Sequence, residues 1–218
     1  MKKYVDLHLH TDKSRSIGDS IEWSSINDAV LKLKNNDIKI ASFTDHDCFS
    51  FEYYKKACNF IETNDINLIL YPGFELTIRR KNGMKGHILF VFDKDQSNSD
   101  IKIENLSLLI AKHKNAKGTN LYSFIEQIKN MNFIMIPHIS KSENVLYEDL
   151  IGLEKYIYHV EANENSVLYK KFCKDSNLKL NPIMFSDTHF WNKYEPNKIF
   201  IDNFIEFKDL INMKKEEM

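Results

Sequence analysis

The sequence predicts a β/α barrel of TIM-like type, formed as one domain over residues 1–218. Three observations predict it. Short apolar runs alternate with helix-like segments, which argues for parallel β/α architecture, either open and doubly wound or closed. Most runs carry apolar residues at successive positions, as in Phe133-Ile134-Met135-Ile136, and so suit a sheet covered on one or both faces. Acid-and-histidine clusters follow most of the runs. A closed barrel gathers residues from many strand ends at its C-terminal rim, whereas an open sheet gathers them near one switch point, so the clusters favour closure.

In chain order, strands are expected near Tyr4–His8, Ile38–Thr44, Asn67–Tyr71, His87–Phe92, Phe133–Pro137, Ile157–Glu161 and Pro182–Ser186. Helices are expected over Ser24–Asn35, Phe49–Thr63, Ile103–His113, Leu121–Asn130, Tyr147–Lys155, Glu164–Ser176 and Phe204–Met213. Within the first helix, Ile26, Val30 and Leu33 stand at helical spacing, and Asn35-Asn36 makes a stop. Asp93–Asp100 reads as a surface loop, and no repeat or low-complexity tract interrupts the chain.

The bulk properties narrow the functional classes. The 218 residues carry a formal net charge of −1, which gives no global footprint for nucleic acid or an anionic membrane. Two local basic stretches, Arg79-Arg80-Lys81 with Lys85 and Lys112-His113-Lys114 with Lys117, read as solvated loops and helix faces. Cys48, Cys58 and Cys173 form no CxxC and are odd in number, which suits reduced thiols in a cytoplasm. No apolar run approaches the ~20 residues of a membrane span, and no cleaved signal peptide is expected, because the first cluster begins at Asp6. The expected setting is therefore the cytoplasm, with no membrane contact.

Six of eight histidines lie in the clusters Asp6-Leu-His8-Leu-His10, Thr44-Asp45-His46-Asp47, Gly86-His87, Pro137-His138 and Ser186-Asp187-Thr188-His189. In an extended segment residues i and i+2 point the same way, so His8 and His10 share a face and Leu7 and Leu9 pack on the other. Asp187 and His189 repeat that spacing at the last strand, which neighbours the first in a closed barrel. His46 ends the second strand, with a flanking carboxylate to orient its ring. Glu75, after Gly73-Phe74, stands at a strand end, and a carboxylate there can bridge two metals. His87 opens a strand or lies in the loop before it, and His138 ends a strongly apolar strand. Imidazoles and carboxylates meeting on one rim make a metal centre suited to hydrolysis. His113 is expected to face solvent and His159 to pack in the core, with Glu161 and Asn163 as candidate supports for the ligands. The chain has no Ser-His-Asp elbow, Walker loop or dinucleotide fingerprint.

At these residues the chain resembles the PHP family, the polymerase and histidinol phosphatase domain. Its motifs run DLHxH, TDHD, a glutamate, two separate histidines and a closing SDxH, here spanning Asp6 to His189. The resemblance implies a distorted (β/α)7 barrel holding two or three divalent metals. It implies His8, His10, Glu75 and Asp187 around a first metal, with Glu75 bridging to a second on His87 and His138. A third would rest on His46, His189 and a residue of the loop after His10. The family's usual position for that last ligand falls here on Arg15 or Ser16, so Asp19 is favoured and Asp12 is the alternative.

The activity so implied is metal-dependent phosphoester hydrolysis with metal-activated water. The mixed N/O donors suit Mn, Fe or Zn more than Mg or Ca. Arg15 or the Arg79–Lys85 loop could grip a substrate phosphate. Two other readings accompany this one: a PHP-type nuclease subunit acting on DNA or RNA beside a separate ATPase partner chain, and a non-catalytic PHP module. Neutral overall charge leans towards a phosphorylated small molecule as substrate rather than nucleic acid.

Overall fold

The computed structural model describes residues 1–17, 20–97, 99–178 and 180–216, with the side chains of 15–17 excluded. The fold is mixed α/β. Its strands are β1 (Lys2–Leu9), β2 (Ile38–Phe43), β3 (Ile69–Arg79), β4 (Lys85–Phe92), β5 (Phe133–Pro137), β6 (His159–Glu161), β7 (Asn181–Ile183), β8 (Ile199–Asp202) and β9 (Lys214–Lys215). The α-helices are α1 (Ile26–Asn35), α2 (Phe51–Thr63), α3 (Leu106–His113), α4 (Leu121–Ile128) and α5 (Val167–Ser176). Ser25, Ser50, Asn120 and Ser166 cap α1, α2, α4 and α5, each accepting a backbone N–H of the first turn.

One sheet runs in the order β5-β4-β3-β2-β1-β8-β9, and β6 pairs with β7 alone. Single bridges lie beyond these ladders: Met135 with Ile157 and His138 with Glu161 at one edge, Leu9 with Thr188 at the end of β1. The sheet is curled, because residues from well-separated strands share one concave core. Val5, Leu7, Leu89, Val91, Ile134, Ile136, Ile183 and Phe185 form that inner cluster. The alternate residues of the same strands, among them Phe74, Leu76, Ile88, Phe90 and Met135, pack outward with α3 and α4.

The all-parallel alternation expected from the sequence does not hold. β1–β2, β2–β3 and β6–β7 are parallel, but β4 is antiparallel to both β3 and β5, and β8 to β1. For β4 the cause is the connection from β3 at residues 80–84, too short for a crossover helix, with Gly83 at φ +83°. β3 also runs through Pro72-Gly73-Phe74-Glu75 to Arg79, so Glu75 lies mid-strand rather than at a strand end. The helix expected over Tyr147–Lys155 is instead two 3-10 turns, Tyr147–Asp149 and Glu154–Tyr156, separated by Gly152 at φ +86°. The last expected helix is likewise a 3-10 turn, Phe207–Asn212, between the unanticipated strands β8 and β9. Among the described residues, no helix is long and apolar enough to cross a membrane.

Candidate metal centre

Alternation along β3 puts Glu75 on the inner face, with the outward Phe74 and Leu76 anchoring it in the helix-covered core. On β4 the antiparallel direction settles the position of His87. The first residues of β4 lie beside the last of β3 and β5: His87 pairs with Thr77, and its carbonyl accepts the His138 N–H at 3.0 Å. A strand start thus reaches the same rim as the strand ends around it.

β1 reaches the rim by a different device. Its register against β2 shifts between Asp6 and Leu9. Leu7 belongs to the inner cluster and Leu9 to the outer one beneath α1, contrary to the shared face expected of them. The irregularity re-aims the strand, as bulges do beside active sites, and directs His8 and His10 inward above Leu7.

The result is a buried knot of imidazoles around Glu75. Its Oε2 lies 3.0 Å from His8 Nε2, 3.2 Å from His46 Nδ1 and 3.4 Å from His10 Nε2. Its Oε1 lies 2.7 Å from His87 Nδ1 and 3.4 Å from His138 Nδ1. His10 Nε2 faces His8 Nε2 at 3.0 Å and Asp187 Oδ1 at 3.2 Å. The rings of His10 and His46 stack with centroids 4.6 Å apart, and the His189 ring stands 4.3 Å from that of His10.

The donor set fits divalent metals. His8 Nε2 and His10 Nε2 face each other at 3.0 Å beside Glu75 Oε2 and Asp187 Oδ1, a place where an ion could stand in for the proton the two rings share. Each oxygen of buried Glu75 stands within 3.4 Å of at least two ring nitrogens, so donors from five histidines crowd one carboxylate as ligands do around bound ions. Four groups of side chains could each hold an ion: His8–His10–Asp187, His8–Glu75–His138, His46–Glu75–His87 and His10–His46–His189. Every expected ligand within the described residues falls in at least one group, but the grouping differs from the one the resemblance implies. His87 goes with His46 rather than His138, and His10 joins His46 and His189. Asp19 and the side chain of Arg15 lie outside the described residues. Asp12 belongs to none of these groups and accepts from the Tyr53 hydroxyl at 3.2 Å.

Asp187 and His189 do not repeat the extended His8–His10 arrangement. Asp187 has φ +51°, a left-handed conformation that costs energy in a non-glycine residue and recurs at functional sites. The turn sends Asp187 towards His8 and His10, and His189 towards His10 and His46. The carboxylates flanking His46 also have duties other than the expected orientation of its ring. Asp45 accepts from Thr11 N–H (2.6 Å), Thr11 Oγ1 (2.7 Å) and Ser14 Oγ (2.9 Å), tying down the loop after His10. Asp47, at φ +46°, accepts the Thr77 N–H at 2.7 Å.

Glu161 supports the centre more directly than its sequence position suggests. It is fully buried, and its Oε2 lies 2.8 Å from both His8 Nδ1 and His138 Nε2. Lys141 Nζ spans Glu161 Oε1 and Asp187 Oδ2, each at 2.8 Å. Sequence reasoning passes over Lys141 entirely, and nothing in its spacing marks it. Glu143, which touches His87 Nε2, is a second omission.

Burial opposes charge on His8, yet Glu161, Glu75 and Asp187 raise its pKa to about 10. Burial, unopposed to the same degree, lowers His10 to about 3. Burial also disfavours the Glu75 carboxylate, but the His8 and His138 imidazoles hold it well below its usual range. Outside the centre, His159 is fully buried with Nε2 2.9 Å from the Leu210 carbonyl, the packing role expected of it. His113 does not simply face solvent: its ring packs edge-on against Phe124 at 5.6 Å.

No family model and no curated protein matches this chain. Among solved structures, the chain resembles PsfC from Pseudomonas syringae PB-5123 at a TM-score of 0.56 and 13% identity, over 98% of this chain and 89% of that one. That likeness is one of fold. A provisionally assigned metal-dependent phosphoesterase from Bifidobacterium adolescentis aligns at a TM-score of 0.35 and 19% identity, over 51% of this chain. The alignment spans 33% of that protein's length.

Proposed function

We propose that this chain is a metal-dependent phosphoester hydrolase of the PHP type, its curled sheet a distorted β/α barrel. One observation carries the reading: a buried carboxylate, Glu75, stands within 3.4 Å of ring nitrogens of His8, His46, His87 and His138. Divalent ions held by these residues would activate water and screen the phosphoryl oxygens. The nitrogen-rich donors favour Mn, Fe or Zn over Mg or Ca.

The chain's own residues supply the rest. Glu161 fixes the ring of His8 through Nδ1, leaving Nε2 to the centre, as carboxylates behind ligating histidines do. Lys141 pins Asp187 Oδ2 and leaves Oδ1 towards His8 and His10. Trp191 donates Nε1–H to the His10 carbonyl at 2.7 Å, holding the end of β1 in place. Asp19 remains the proposed completion of the group formed by His46 and His189, and the cytoplasm the proposed setting.

The test joins two measurements on purified protein: metal content, and hydrolysis of bis-p-nitrophenyl phosphate with added Mn, Fe, Zn or Mg. His8→Ala and Asp187→Asn are expected to abolish turnover and lower bound metal. Unchanged turnover in both variants overturns the reading, and loss of metal with no turnover in the parent protein points instead to a non-catalytic module.

A further inference from the structure

Two basic stretches that lie far apart in sequence meet in one cleft. Arg79, Arg80 and Lys81 lead out of β3, and Lys117 lies in the loop before α4. Backbone hydrogen bonds bind the two segments, Arg79 N–H to the Thr119 carbonyl and Thr119 N–H to the Thr77 carbonyl, each at 2.8 Å. Between them opens a cleft of about 550 Å3, lined by Arg79, Arg80, Lys81, Lys117, Tyr122 and Asp149 among others.

The charge of this cleft is one-sided. Asp149, the acid in its lining, accepts from Arg80 Nε at 2.9 Å and from the Lys81 N–H at 2.8 Å, so it is already engaged with buried Arg80. Arg79, Lys81 and Lys117 are exposed, and among the described residues none of them has an ion-pair partner. The first turn of α4 lies in the same wall and adds its partial positive charge. Tyr122 is 40% exposed there, and its hydroxyl donates to the Ile151 carbonyl at 3.0 Å, which fixes the ring. Unpaired cations beside a fixed, open aromatic ring suit single-stranded nucleic acid: the cations follow the backbone and the ring stacks on a base.

One edge of the cleft, Arg79, lies on the face of β3 that carries Glu75. Glu75, Thr77 and Arg79 alternate onto one face of β3, and the cross-strand pairs Thr77–His87 and Arg79–Lys85 are successive on that face. Arg79 and Lys85 therefore stand two residues, about 7 Å, beyond His87 along the ladder. With a chain net charge of −1, the positive field is local to this place.

We infer that the cleft binds the backbone of a single-stranded nucleic acid and leads it to the histidine–glutamate centre, which makes a polynucleotide phosphodiester the substrate class. The inference rests on the phosphoesterase reading for its chemistry and on the cleft alone for binding. The test is fluorescence anisotropy of a labelled oligo(dT) and a labelled oligo(U) with the full-length protein, with and without Mn2+, at 50–200 mM salt. Cleavage is followed on the same samples by gel.

Binding of either strand is expected to weaken with salt. The Arg79→Ala, Lys81→Ala, Lys117→Ala variant should bind at least tenfold more weakly and lower the log Kd against log salt slope by about 2. Tyr122→Ala should cost roughly fivefold or more, and Tyr122→Phe, which keeps the ring, much less. No binding of either strand at 50 mM salt, or binding that the triple variant leaves intact, overturns the inference. So does displacement of the strand by polyglutamate as readily as by unlabelled oligonucleotide, which would indicate an acidic polypeptide partner. Failure to bind while bis-p-nitrophenyl phosphate is still hydrolysed removes the cleft's role alone. Cleft-dependent binding without hydrolysis of any phosphoester removes the catalytic reading and leaves the binding site.

Discussion

Glu161→Gln isolates the buried charge that supports the metal centre without changing side-chain volume. The native carboxylate lies 2.8 Å from His8 Nδ1 and 2.8 Å from Lys141 Nζ, and all three groups are buried or nearly so. At an effective dielectric near 20, each opposite-charge contact at that distance is worth about 6 kcal/mol before desolvation is counted. Desolvation takes back several kcal/mol per ion, and removing one partner of a buried pair costs about 3–5 kcal/mol net. The amide keeps an acceptor for one neighbour, so the lower end, about 3 kcal/mol, is expected. For a chain of this size that is a fall of roughly 6–12 °C in Tm, measured by thermal unfolding in chelator. Metal affinity should fall about 10–100-fold, because His8 loses the group that fixes its ring. Lys141→Met combined with Glu161→Gln should lose less than the two single variants together, by about 1–3 kcal/mol. A Tm loss below about 2 °C, or strict additivity in the double variant, would refute the assignment of Glu161 as a charged support.

The remaining predictions concern protons, a buried pair and a close approach. His8, with its pKa raised to about 10, carries a proton at pH 7 that it must lose to ligate, so metal binding should release at least one proton and strengthen about tenfold per pH unit below 10; calorimetry in buffers of different ionisation enthalpy, showing no proton release, would contradict this. Asp149→Asn leaves the buried Arg80 guanidinium without its carboxylate, at an expected cost of about 3–5 kcal/mol in urea unfolding. Gly73→Ala places a methyl 2.3 Å from Ser42 Oγ and 2.8 Å from the Phe90 carbonyl, which must shift β3 two residues before Glu75. A loss of about 1–3 kcal/mol is expected with reduced metal content, and Ser42→Ala should relieve it only in part, because the backbone contact remains.

Residue types were legible in the sequence because they depend on local alternation and on strand ends; their partners were not, because pairing depends on register. The His8–His10 spacing marked an inward-facing pair, but the β1 irregularity that separates Leu7 from Leu9 has no sequence mark of its own. Asn82-Gly83 between two strand-like runs is a hairpin signal, and giving it weight turns β4 round and carries His87 to the rim. Glu161 could be read only as a strand-end acid, since its two imidazoles lie 153 and 23 residues away and meet it only once β5, β6 and β1 close around the inner core. Asp45-His46-Asp47 misled for a physical reason: short carboxylates at positions leaving a strand compete for nearby backbone and hydroxyl donors, and Thr11, Ser14 and Thr77 reach them. The same logic explains the grouping of the imidazoles. Because β3 runs on past the end of β2, Glu75 stands mid-strand yet level with the neighbouring strand ends, and it meets His8 and His46 through Oε2 and His87 and His138 through Oε1. A carboxylate confined to the strand end would reach only its nearest neighbours, so the length of β3 beyond Gly73 makes Glu75 central.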